Sequence, residues 1–442
     1  MKTLLGITNV IFILLFLFIL TACNNNPTGP SNPVIDPFSN GGTERNMIVI
    51  MSDMHLGADL SYAECKNNLP ALEKLIKQIK VSPNVKELVI GGDLVDEWFV
   101  PATTNTYEGG GQSGFVTRLA ATNSGVFAAL NSIIQEGLIL VTYVPGNHDI
   151  AITAASIESI LPGINQARDA VLGLGTYSPV GQPKIAIEHG HRYNFFCAPD
   201  PISNQTIAPG TILPPGYFFT RIAALAYKQG NPAPGDTTPI VTQNTSGGTS
   251  QDLLYRYWKD WYMTLGMFPI SNRFDENLIV TNMNGFTGTF KINDLVPFQL
   301  TPGGFIDVNL YNGSQDNWEP RQTQNSVPVH IDAPIAIDSV NSNTYTDYQS
   351  SMQYFMNPNS NKRLVVFGHT HIPLISTYLN ITNEKCVYAN SGTWIDNNPN
   401  MTSRHFIVIT PQDAGASSQT LVKLYNYENE VVTKMNENSL RL

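Results

Sequence analysis

Five apolar runs along the chain become polar only at their C-terminal ends. They span residues 47–55, 87–98, 140–150, 184–193 and 363–373. Their apolar residues are mostly aliphatic or aromatic, and many are β-branched, which suits β-strands. These positions are continuous rather than alternating, as in strands that are covered on both faces of a sheet. The pattern therefore predicts buried strands that end in polar side chains, and Gly146 is expected to allow the bend after the third one.

Helical patterns lie between these runs. Apolar residues recur at helical spacing from 69 to 79 and from 126 to 134, and Gly137 stops the second pattern. The alternation of strands and helices predicts an α/β fold. Because functional groups in such folds gather beyond the carboxyl ends of the strands, we expect the polar ends of the five runs to meet in one site.

The polar ends supply carboxylate, amide and imidazole groups. The candidate set among them is Asp53, His55, Asp93, Asn147, His148, His189, His369 and His371, which includes five of the chain's eight histidines. Imidazoles and carboxylates with little lysine or arginine nearby suit a divalent transition metal. A polar turn or a buried histidine pair would explain any one cluster, but five clusters at five strand ends favour a shared metal site.

The N-terminal segment has the features of an export signal. Lys2 precedes an apolar run over residues 10–20, which is too short to span a membrane as a helix. The Leu-Thr-Ala-Cys sequence that ends at Cys23 resembles a bacterial lipobox, which implies cleavage before Cys23 and a diacylglycerol lipid on its sulfur. Residues 1–22 are expected to be a lipoprotein signal peptide, and residues 23–45 a flexible tether rich in Asn, Pro, Gly and Ser. We expect an exported protein that is anchored to a bacterial membrane, in the periplasm or at the cell surface.

Charge and cysteine content narrow the function classes. A formal net charge of −10, with 14% charged residues, gives no electrostatic footprint for a large nucleic acid, although a short nucleotide substrate stays open. Beyond the lipobox the chain has Cys65, Cys197 and Cys386, with no C-x-x-C spacing. These allow at most one internal disulfide. We expect buried thiols rather than a cysteine zinc site.

Five motifs in chain order resemble those of the calcineurin-like metallophosphoesterase superfamily. They are Asp53-x-His55, Gly92-Asp93-x-x-Asp96, Gly146-Asn147-His148-Asp149, His189-Gly190 and Gly368-His369-x-His371. The resemblance covers residues 46–200 and 361–442, and it implies a four-layer αββα sandwich of two mixed β-sheets flanked by helices. Residues 201–360 carry no family motif and are predicted to be a large insertion that could cap the site.

The resemblance also implies a centre with two metal ions. One ion takes Asp53, His55 and His371, the other takes Asn147, His189 and His369, and Asp93 bridges the two. The expected cofactors are two divalent ions, with Mn, Zn and Fe as candidates. Against the two aspartates they leave a net charge of about +2, which attracts a phosphate.

The resemblance assigns the proton donor to His148, which Asp96 orients. A hydroxide at the metal pair would attack phosphorus in line, and His148 would protonate the departing alkoxide. Asp149 and His191 suit a substrate contact, support of the ligands or packing. Arg192 suits either a phosphate contact or a surface salt bridge.

The expected function is hydrolysis of a phosphomonoester or phosphodiester of a small substrate. Asp96 stands where purple acid phosphatases carry a tyrosine, and Glu97-Trp98 stands where Ser/Thr protein phosphatases carry Arg-Gly, so neither branch fits. The GDLVDEWF and NSGTW runs at 92–99 and 390–394 are closer to small-molecule phosphoesterases, including a UDP-diacylglucosamine pyrophosphatase branch.

Two alternatives stay open. One is a nucleotide-type pyrophosphatase, and the other is a lipid-anchored binding protein with a purely structural metal site. Structural sites fill every coordination position with protein ligands. Open positions and the extra His148–Asp96 pair favour an enzyme.

Two aromatic clusters stand out in the predicted insertion, at residues 217–219 and 255–262. The second cluster, with leucines on both sides, predicts a helix. Aromatic residues dominate protein cores, so we favour a core role over a substrate-selecting wall for most of them.

Overall fold

The structure, a computed structural model, describes residues 36–342, 344–398, 402–412 and 418–442. The predicted signal peptide at 1–22, the predicted lipid anchor Cys23 and residues 23–35 lie outside these ranges. Residues 36–45, which the composition assigns to the tether, pack on the folded domain. Phe38 is only 2% exposed, and its ring lies 5.6 Å from that of Phe406. One buried aromatic residue holds this otherwise polar stretch against the core.

The strands and helices follow the alternation that the sequence predicts. The strands are β1 Met47–Met51, β2 Val85–Gly91, β3 Leu140–Val144, β4 Asn165–Gln166, β5 Ile185–Ile187, β6 Ile279–Met283, β7 Phe286–Phe290, β8 Phe298–Gln299, β9 Ile306–Asp307, β10 Leu364–Phe367, β11 Leu374–Leu379, β12 Lys385–Asn390, β13 His405–Thr410, β14 Thr420–Glu428 and β15 Val431–Leu440. The helices are α1 Leu69–Val81, α2 Gly111–Thr122, α3 Ser124–Glu136, α4 Ala154–Ile160, α5 Pro215–Lys228, α6 Gly248–Met267, α7 Trp318–Gln324, α8 Ala333–Asp338 and α9 Tyr345–Ser350. The five apolar runs become β1, β2, β3, β5 and β10, and the two helical patterns become α1 and α3.

Two mixed sheets form the centre of the molecule. The larger has the order β15-β14-β13-β1-β2-β3-β4, in which β1 to β4 are parallel and the other three strands pair antiparallel. The smaller has the order β11-β12-β10-β5, in which β10 is parallel to both of its neighbours. The predicted αββα sandwich of two mixed sheets is confirmed.

Alternate residues of the central strands serve two cores. On β1, Ile48 lies between the sheets in a cluster with Val366 of β10. The next residue, Val49, lies in the outer core with Leu72 of α1 and Leu130 of α3. Side chains alternate along a strand, so a continuous apolar run is required where both faces are covered.

Helix ends also follow the sequence. Helix α3 stops at Gly137, which has a left-handed φ of 69° and donates its backbone N–H to the carbonyl of Ile133. Glycine adopts this conformation at little cost. Within the described ranges, no helix is both long and apolar enough to cross a membrane.

The predicted insertion leaves the smaller sheet after β5 and returns to it at β10. These two strands pair directly in parallel, and α5 to α9 and the strand pairs β6–β7 and β8–β9 lie between them in the chain. The predicted aromatic helix is α6, and its Tyr257 and Trp261 are fully buried, as are Tyr217 and Phe218 of α5. Most of these aromatic side chains therefore form a core.

The three cysteines of the domain are unpaired thiols. Cys65 and Cys386 are buried, and Cys197 is half-buried. Burial raises the pKa of Cys197 to about 12, so this thiol is protonated at neutral pH. All three behave as the small, inert residues that the spacing predicts.

Candidate active site

The segments that follow β1 and β2 interlock through their backbones. The N–H groups of Met54 and His55 both donate to the carbonyl oxygen of Asp93 at 2.9 Å, and that of Asp53 donates to Gly92 at 3.0 Å. The first two motifs are therefore held side by side at the carboxyl edge of the larger sheet, where ligands bind in such folds.

Five of the seven predicted metal ligands have left-handed backbone conformations. Their φ angles are 52° at Asp53, 46° at His55, 51° at Asp93, 69° at His369 and 60° at His371. Residues other than glycine adopt this region rarely, at a cost of about 1–3 kcal/mol each. Strain of this kind persists where the surrounding structure enforces it, and its concentration on these five residues marks a functional site.

Two motif glycines are required because ligand side chains approach their backbones closely. A Cβ on Gly146 would lie 2.1 Å from Oδ1 of Asp93, and one on Gly92 would lie 2.3 Å from Nδ1 of His189. Gly92 also has a φ of 101°. Gly146 is not among the glycines with a left-handed φ, so a glycine is required here for space rather than for backbone conformation. Its role is to leave room for Asp93.

A first group of donor atoms gathers at the end of β1. Nε2 of His371 lies 3.2 Å from Nε2 of His55 and 3.2 Å from Oδ1 of Asp53. Oδ2 of Asp93 lies 3.6 Å from Nε2 of His55. The backbone N–H of His369 donates to Oδ1 of Asp53 at 3.0 Å and so ties the Gly-His-x-His loop to this group.

A second group of donor atoms shares one atom with the first. Nε2 of His189 lies 3.0 Å from the same Oδ2 of Asp93 and 3.2 Å from Oδ1 of Asn147. Nδ1 of His369 lies 2.9 Å from that Asn147 oxygen. Asp93 therefore stands between the two groups. The structure brings all seven predicted ligands together, and Oδ1 of Asp53 lies 4.0 Å from Nε2 of His55 and 3.9 Å from Nε2 of His189.

The donor set fits two divalent transition metals. Ligands at about 2.0–2.2 Å from one ion lie roughly 3–3.5 Å apart. The donor atoms of the two groups lie 2.9–3.6 Å from their neighbours, and Nε2 of His55 lies 4.0 Å from Oδ1 of Asp53. Asp53 and Asp93 are 0% and 1% exposed, and the ion-pair partners that the described residues offer them are histidines. Burial alone would raise the pKa of Asp93, but the charge of His189 and that of His148 lower it well below its ordinary value. Buried carboxylates that stay ionised need cations beside them.

In His55 and His189, the ring nitrogen that faces away from the donor groups lies within hydrogen-bond distance of a protein oxygen. Nδ1 of His55 lies 3.0 Å from Oδ2 of Asp96 and 3.3 Å from Oε2 of Glu64. Nδ1 of His189 lies 2.9 Å from the carbonyl oxygen of Gly91. These contacts favour a proton on Nδ1 and leave Nε2 as the metal ligand, which is how metal-binding histidines are usually oriented. The contact of Glu64 with His55 was not predicted, because Glu64 follows no strand and belongs to no motif.

His148 lies beside the donor atoms and has a carboxylate of its own. Its Nδ1 lies 2.9 Å from Oδ1 of Asp96, and its ring stacks on Trp98 with centroids 5.1 Å apart. Because Asp96 uses its second oxygen for His55, it links the predicted proton donor to a predicted ligand. Burial alone would lower the pKa of His148, but Asp96 raises it above its ordinary value of 6.5. With Nδ1 facing Asp96, Nε2 is the ring nitrogen that is left for a substrate.

A sequence comparison agrees with this geometry. Residues 47–220 match the family model of the calcineurin-like phosphoesterases. The chain carries a calcineurin-like phosphoesterase domain. The match includes four of the five motifs, and the pairing of β10 with β5 brings the fifth, at 368–371, to the same site. The predicted superfamily is thus confirmed. No curated protein matches the chain significantly.

The phosphoesterase site opens into two adjoining pockets. The smaller, of about 220 Å³, is the chamber over the donor atoms, lined by Asp93, Asn147, His369 and His371. The larger, of about 540 Å³, starts at the histidines of the first group and extends along α5 and α6. His148, His371, Phe219 and Thr220 line both pockets.

Asp149 faces the backbone rather than either pocket. Its Oδ1 accepts from the N–H of Gly146 at 2.6 Å, and its Oδ2 accepts from the N–H of Leu94 at 2.9 Å. It therefore holds the third motif against the second. This matches the structural alternative for Asp149 rather than a substrate contact.

His191 and Arg192 lie behind the ligands. His191 is 2% exposed, its ring centroid lies 5.4 Å from that of His189, and neither of its nitrogens has a hydrogen-bond partner among the described residues. Arg192 lies 3.1 Å from Glu188 and donates to the carbonyl oxygen of Gly175 at 3.2 Å. Its ion pair is buried and lies outside the two pockets of the site, so it differs from both the phosphate contact and the surface salt bridge that the sequence suggested. The ion pair with the buried Glu188 directs the guanidinium of Arg192 away from the predicted metal ligands.

Residues 390–394, which begin at the last residue of β12, hold in place the segments that carry Asp53 and His369. The sequence did not reveal this role. Asn390 donates to the carbonyl oxygen of Gly368 at 2.7 Å. Thr393 donates its hydroxyl to the carbonyl oxygen of Asp53 at 3.0 Å. Strand β12 is a further apolar run that ends in polar residues, so the rule that found the five motifs also applies to it.

The insertion contacts the loop that carries His369 and His371 through Asp347 of α9. Its Oδ1 accepts from Asn390 at 3.1 Å and from the hydroxyl of Thr370, between the two ligand histidines, at 3.2 Å. Burial raises the pKa of Asp347 to about 6, although bonds from Tyr388 and Asn390 oppose the shift. No motif or periodicity marks this residue in the sequence.

Proposed function

We propose that this chain is an exported, lipid-anchored hydrolase that cleaves a small phosphomonoester or phosphodiester with the help of two divalent metal ions. One observation carries the proposal. Oδ2 of Asp93 lies 3.6 Å from a ring nitrogen of one donor group and 3.0 Å from a ring nitrogen of the other, next to the His148–Asp96 pair. The phosphoesterase match supports the reaction class.

The donor atoms would hold the two ions in the predicted division. Asp53, His55 and His371 would bind one, Asn147, His189 and His369 the other, and Asp93 both. Bound there, two divalent ions would supply a water of lowered pKa and positive charge for the phosphoryl oxygens.

His148 would deliver a proton to the oxygen of the leaving alcohol. Asp96 fixes its Nδ1, and Trp98 fixes the plane of its ring, so Nε2 is held in one direction. General-acid catalysis of this kind contributes about 10²–10⁴ in rate.

An open chamber supports catalysis over a structural metal site. Asn147, His369 and His371 all border it, and the side chain of His371 is 24% exposed. A structural site would instead be closed by protein ligands.

Metal content and turnover test the proposal together. We expect two ions per chain by elemental analysis after reconstitution with Mn²⁺, Zn²⁺ or Fe²⁺, and hydrolysis of p-nitrophenyl phosphate or its bis-ester. His371→Ala should lose the ion of the first group and His189→Ala that of the second, whereas His330→Ala, in an ion pair with Glu319, should keep both. One ion or none in the reconstituted wild-type protein would reject the dinuclear centre. Two ions without hydrolysis of any ester in a broad panel would favour the binding-protein alternative.

Anchoring and export rest on the Leu-Thr-Ala-Cys sequence at 20–23. We expect Cys23→Ala to move the protein from the membrane fraction to the soluble fraction of a bacterial host. Cys65→Ala is the matched control, because this buried thiol belongs to the folded domain. A Cys23→Ala protein that still pellets with membranes would contradict the lipid anchor.

A further inference from the structure

The larger pocket is lined by nine residues of the insertion and ten residues of the sandwich domain. Helix α5 lines it with Phe219, Thr220, Ala223 and Tyr227. Their spacing of one, three and four residues places them on one face of the helix. The end of α6 and the residue after it, together with Tyr62 and Phe99 of the sandwich, add further apolar side chains, and Asn231, Asn341 and Asn397 add uncharged amides. The pocket therefore begins at the predicted ligands and continues between apolar rings and a few uncharged polar groups.

This wall is fixed in place by ring packing. Phe219 stacks on Phe196 with centroids 4.7 Å apart and meets Trp261 edge-on at 3.9 Å. Phe99 lies 6.1 Å from the ring of Tyr227, and its backbone N–H donates to Oδ1 of Asp96 at 2.7 Å. The apolar wall is thus tied directly to the carboxylate that orients His148.

The mouth of the pocket leaves large apolar side chains uncovered. Tyr227 is 57% exposed, Met267 57% and Phe268 38%. Scattered exposed apolar residues are ordinary, but three on the rim of one pocket make a surface that an apolar ligand would cover.

The charge of the lining is the second independent feature. The residues that line the larger pocket include no lysine and no arginine, and their carboxylates are Glu64 and Asp396. Asp396 already accepts hydrogen bonds from the backbone N–H groups of residues 66–68. Glu64 lies 3.3 Å from Nδ1 of His55. Beyond the histidines at its inner end, an anionic group in this pocket would meet two carboxylates and no lysine or arginine to pair with.

We propose that the larger pocket binds the alcohol half of the substrate and that this half is an uncharged apolar group, aliphatic or aromatic. The inference rests on the proposed function, in which the smaller chamber takes the phosphoryl group. A nucleotide or another leaving group with further phosphates does not match this wall. The inference therefore separates the phosphoesterase from the pyrophosphatase alternative.

A pair of ligands of equal length tests the inference by binding alone. n-Octylphosphonate and 7-carboxyheptylphosphonate differ only in a terminal carboxylate, and neither is hydrolysed. Calorimetry on the Mn²⁺-loaded protein should give an affinity for the octyl compound that is higher by about 10-fold or more. Equal affinities, or a preference for the carboxylate, would overturn the inference.

Substitutions at the rim should change this preference. Tyr227→Arg adds a cation at an exposed position of the wall, and Ala223→Arg adds one a helical turn deeper. Either should reduce the affinity ratio to within about threefold. Met263→Arg is the matched control, because Met263 is 45% exposed on α6 and lines neither pocket of the site. A ratio that responds equally to the control would also overturn the inference.

Turnover of the matching esters separates the two proposals. Hydrolysis of n-octyl phosphate and 7-carboxyheptyl phosphate at equal kcat/KM, with equal phosphonate affinities, would reject the apolar pocket and keep the phosphoesterase. A clear octyl preference in binding, without hydrolysis of either ester, would keep the pocket and reject the proposed function.

Discussion

The metal edge, where the seven predicted ligands meet beyond the strand ends, and the wall along α5 and α6 are held in place by different kinds of interaction. At the edge, left-handed backbones at five residues and hydrogen bonds to the outer histidine nitrogens fix each donor atom. The wall along α5 and α6 instead presents rings and a thioether, such as Phe219, Phe268 and Met267, held by packing. The position of each donor atom is fixed at the metal edge, whereas only the shape and polarity of the surface are fixed in the wall.

The difference follows from what each region would do. Metal–ligand distances vary by only about 0.2 Å, so a donor atom cannot drift without loss of the ion. An apolar pocket tolerates small shifts because dispersion contacts are non-directional and individually weak. Changes at the edge should therefore abolish turnover of every ester, whereas changes in the wall should alter only the ranking of esters.

Asp93→Ala should have the largest effect. It removes the carboxylate that both donor groups share, so both ions should be lost and hydrolysis of all esters should fall to background. Elemental analysis and turnover of p-nitrophenyl phosphate measure the two outcomes. Asp275→Ala, in an exposed ion pair with Arg273, is the control and should change neither. Retention of two ions by Asp93→Ala would contradict the bridging role.

His148→Asn should come next. Both ions should stay, because His148 is not among the predicted ligands, but turnover should fall by about 10²–10⁴. Asn keeps a polar side chain but cannot donate a proton at a useful pKa. Alkyl leaving groups need protonation more than p-nitrophenolate does, so the loss should be larger by about 10-fold or more for an alkyl ester. An equal loss on both esters, with two ions bound, would assign His148 to phosphate binding.

The sequence predicted the metal edge well because strand geometry fixes it. Parallel neighbours such as β1, β2 and β3 bring their carboxyl ends to one edge, so polar residues after apolar runs must meet there. The meeting of the seven donors follows from this rule, whereas the sandwich was implied by the family resemblance and α1 and α3 were predicted from helical spacing. The same rule covers Asn390 at the end of β12, which the sequence marked only as part of the NSGTW run.

The sequence did not predict the contacts that residues outside the motifs make around the ligands, because long-range packing decides them. Asp347 reaches Thr370 from α9, and Glu64 reaches His55 from a segment without regular structure. Neither contact has a spacing that a sequence reveals. The sequence also did not predict the contact of Arg192, because that side chain forms an ion pair with the buried Glu188.

Phe268→Ala should have a smaller and selective effect. Phe268 lies on the rim of the larger pocket and is 38% exposed, so its loss should raise KM for n-octyl phosphate by about 3- to 10-fold with little change in kcat or in metal content. Ethyl phosphate, too short to reach the rim, should be unaffected. Phe305→Ala, 68% exposed and outside both pockets of the site, is the control. An equal change for the octyl and ethyl esters would remove the distinction between edge and wall.

Glu97→Gln should leave the reaction unchanged and alter only the pH dependence of stability. Glu97 follows Asp96 but lines neither pocket of the site. Its Oε1 accepts from Tyr107 at 2.9 Å and from Gln112 at 3.1 Å, and its Oε2 has no hydrogen-bond partner in the part of the chain that the structure describes. Burial raises its pKa from 4.5 to about 8, although the bonds from Tyr107 and Gln112 oppose the shift.

The folded chain thus keeps this proton to a higher pH than the unfolded chain does. The stabilisation that this provides is complete below pH 4.5 and is lost as the pH rises through about 8. Urea unfolding at pH 5 and pH 8.5 should show that Glu97→Gln reduces the drop in unfolding free energy between the two values by up to a few kcal/mol. The exposed control Glu44→Gln should keep the wild-type drop. If Glu97→Gln also lowered kcat, the metal edge would extend to this residue, and a buried polar group beside the site would have a part in the chemistry rather than in the fold alone.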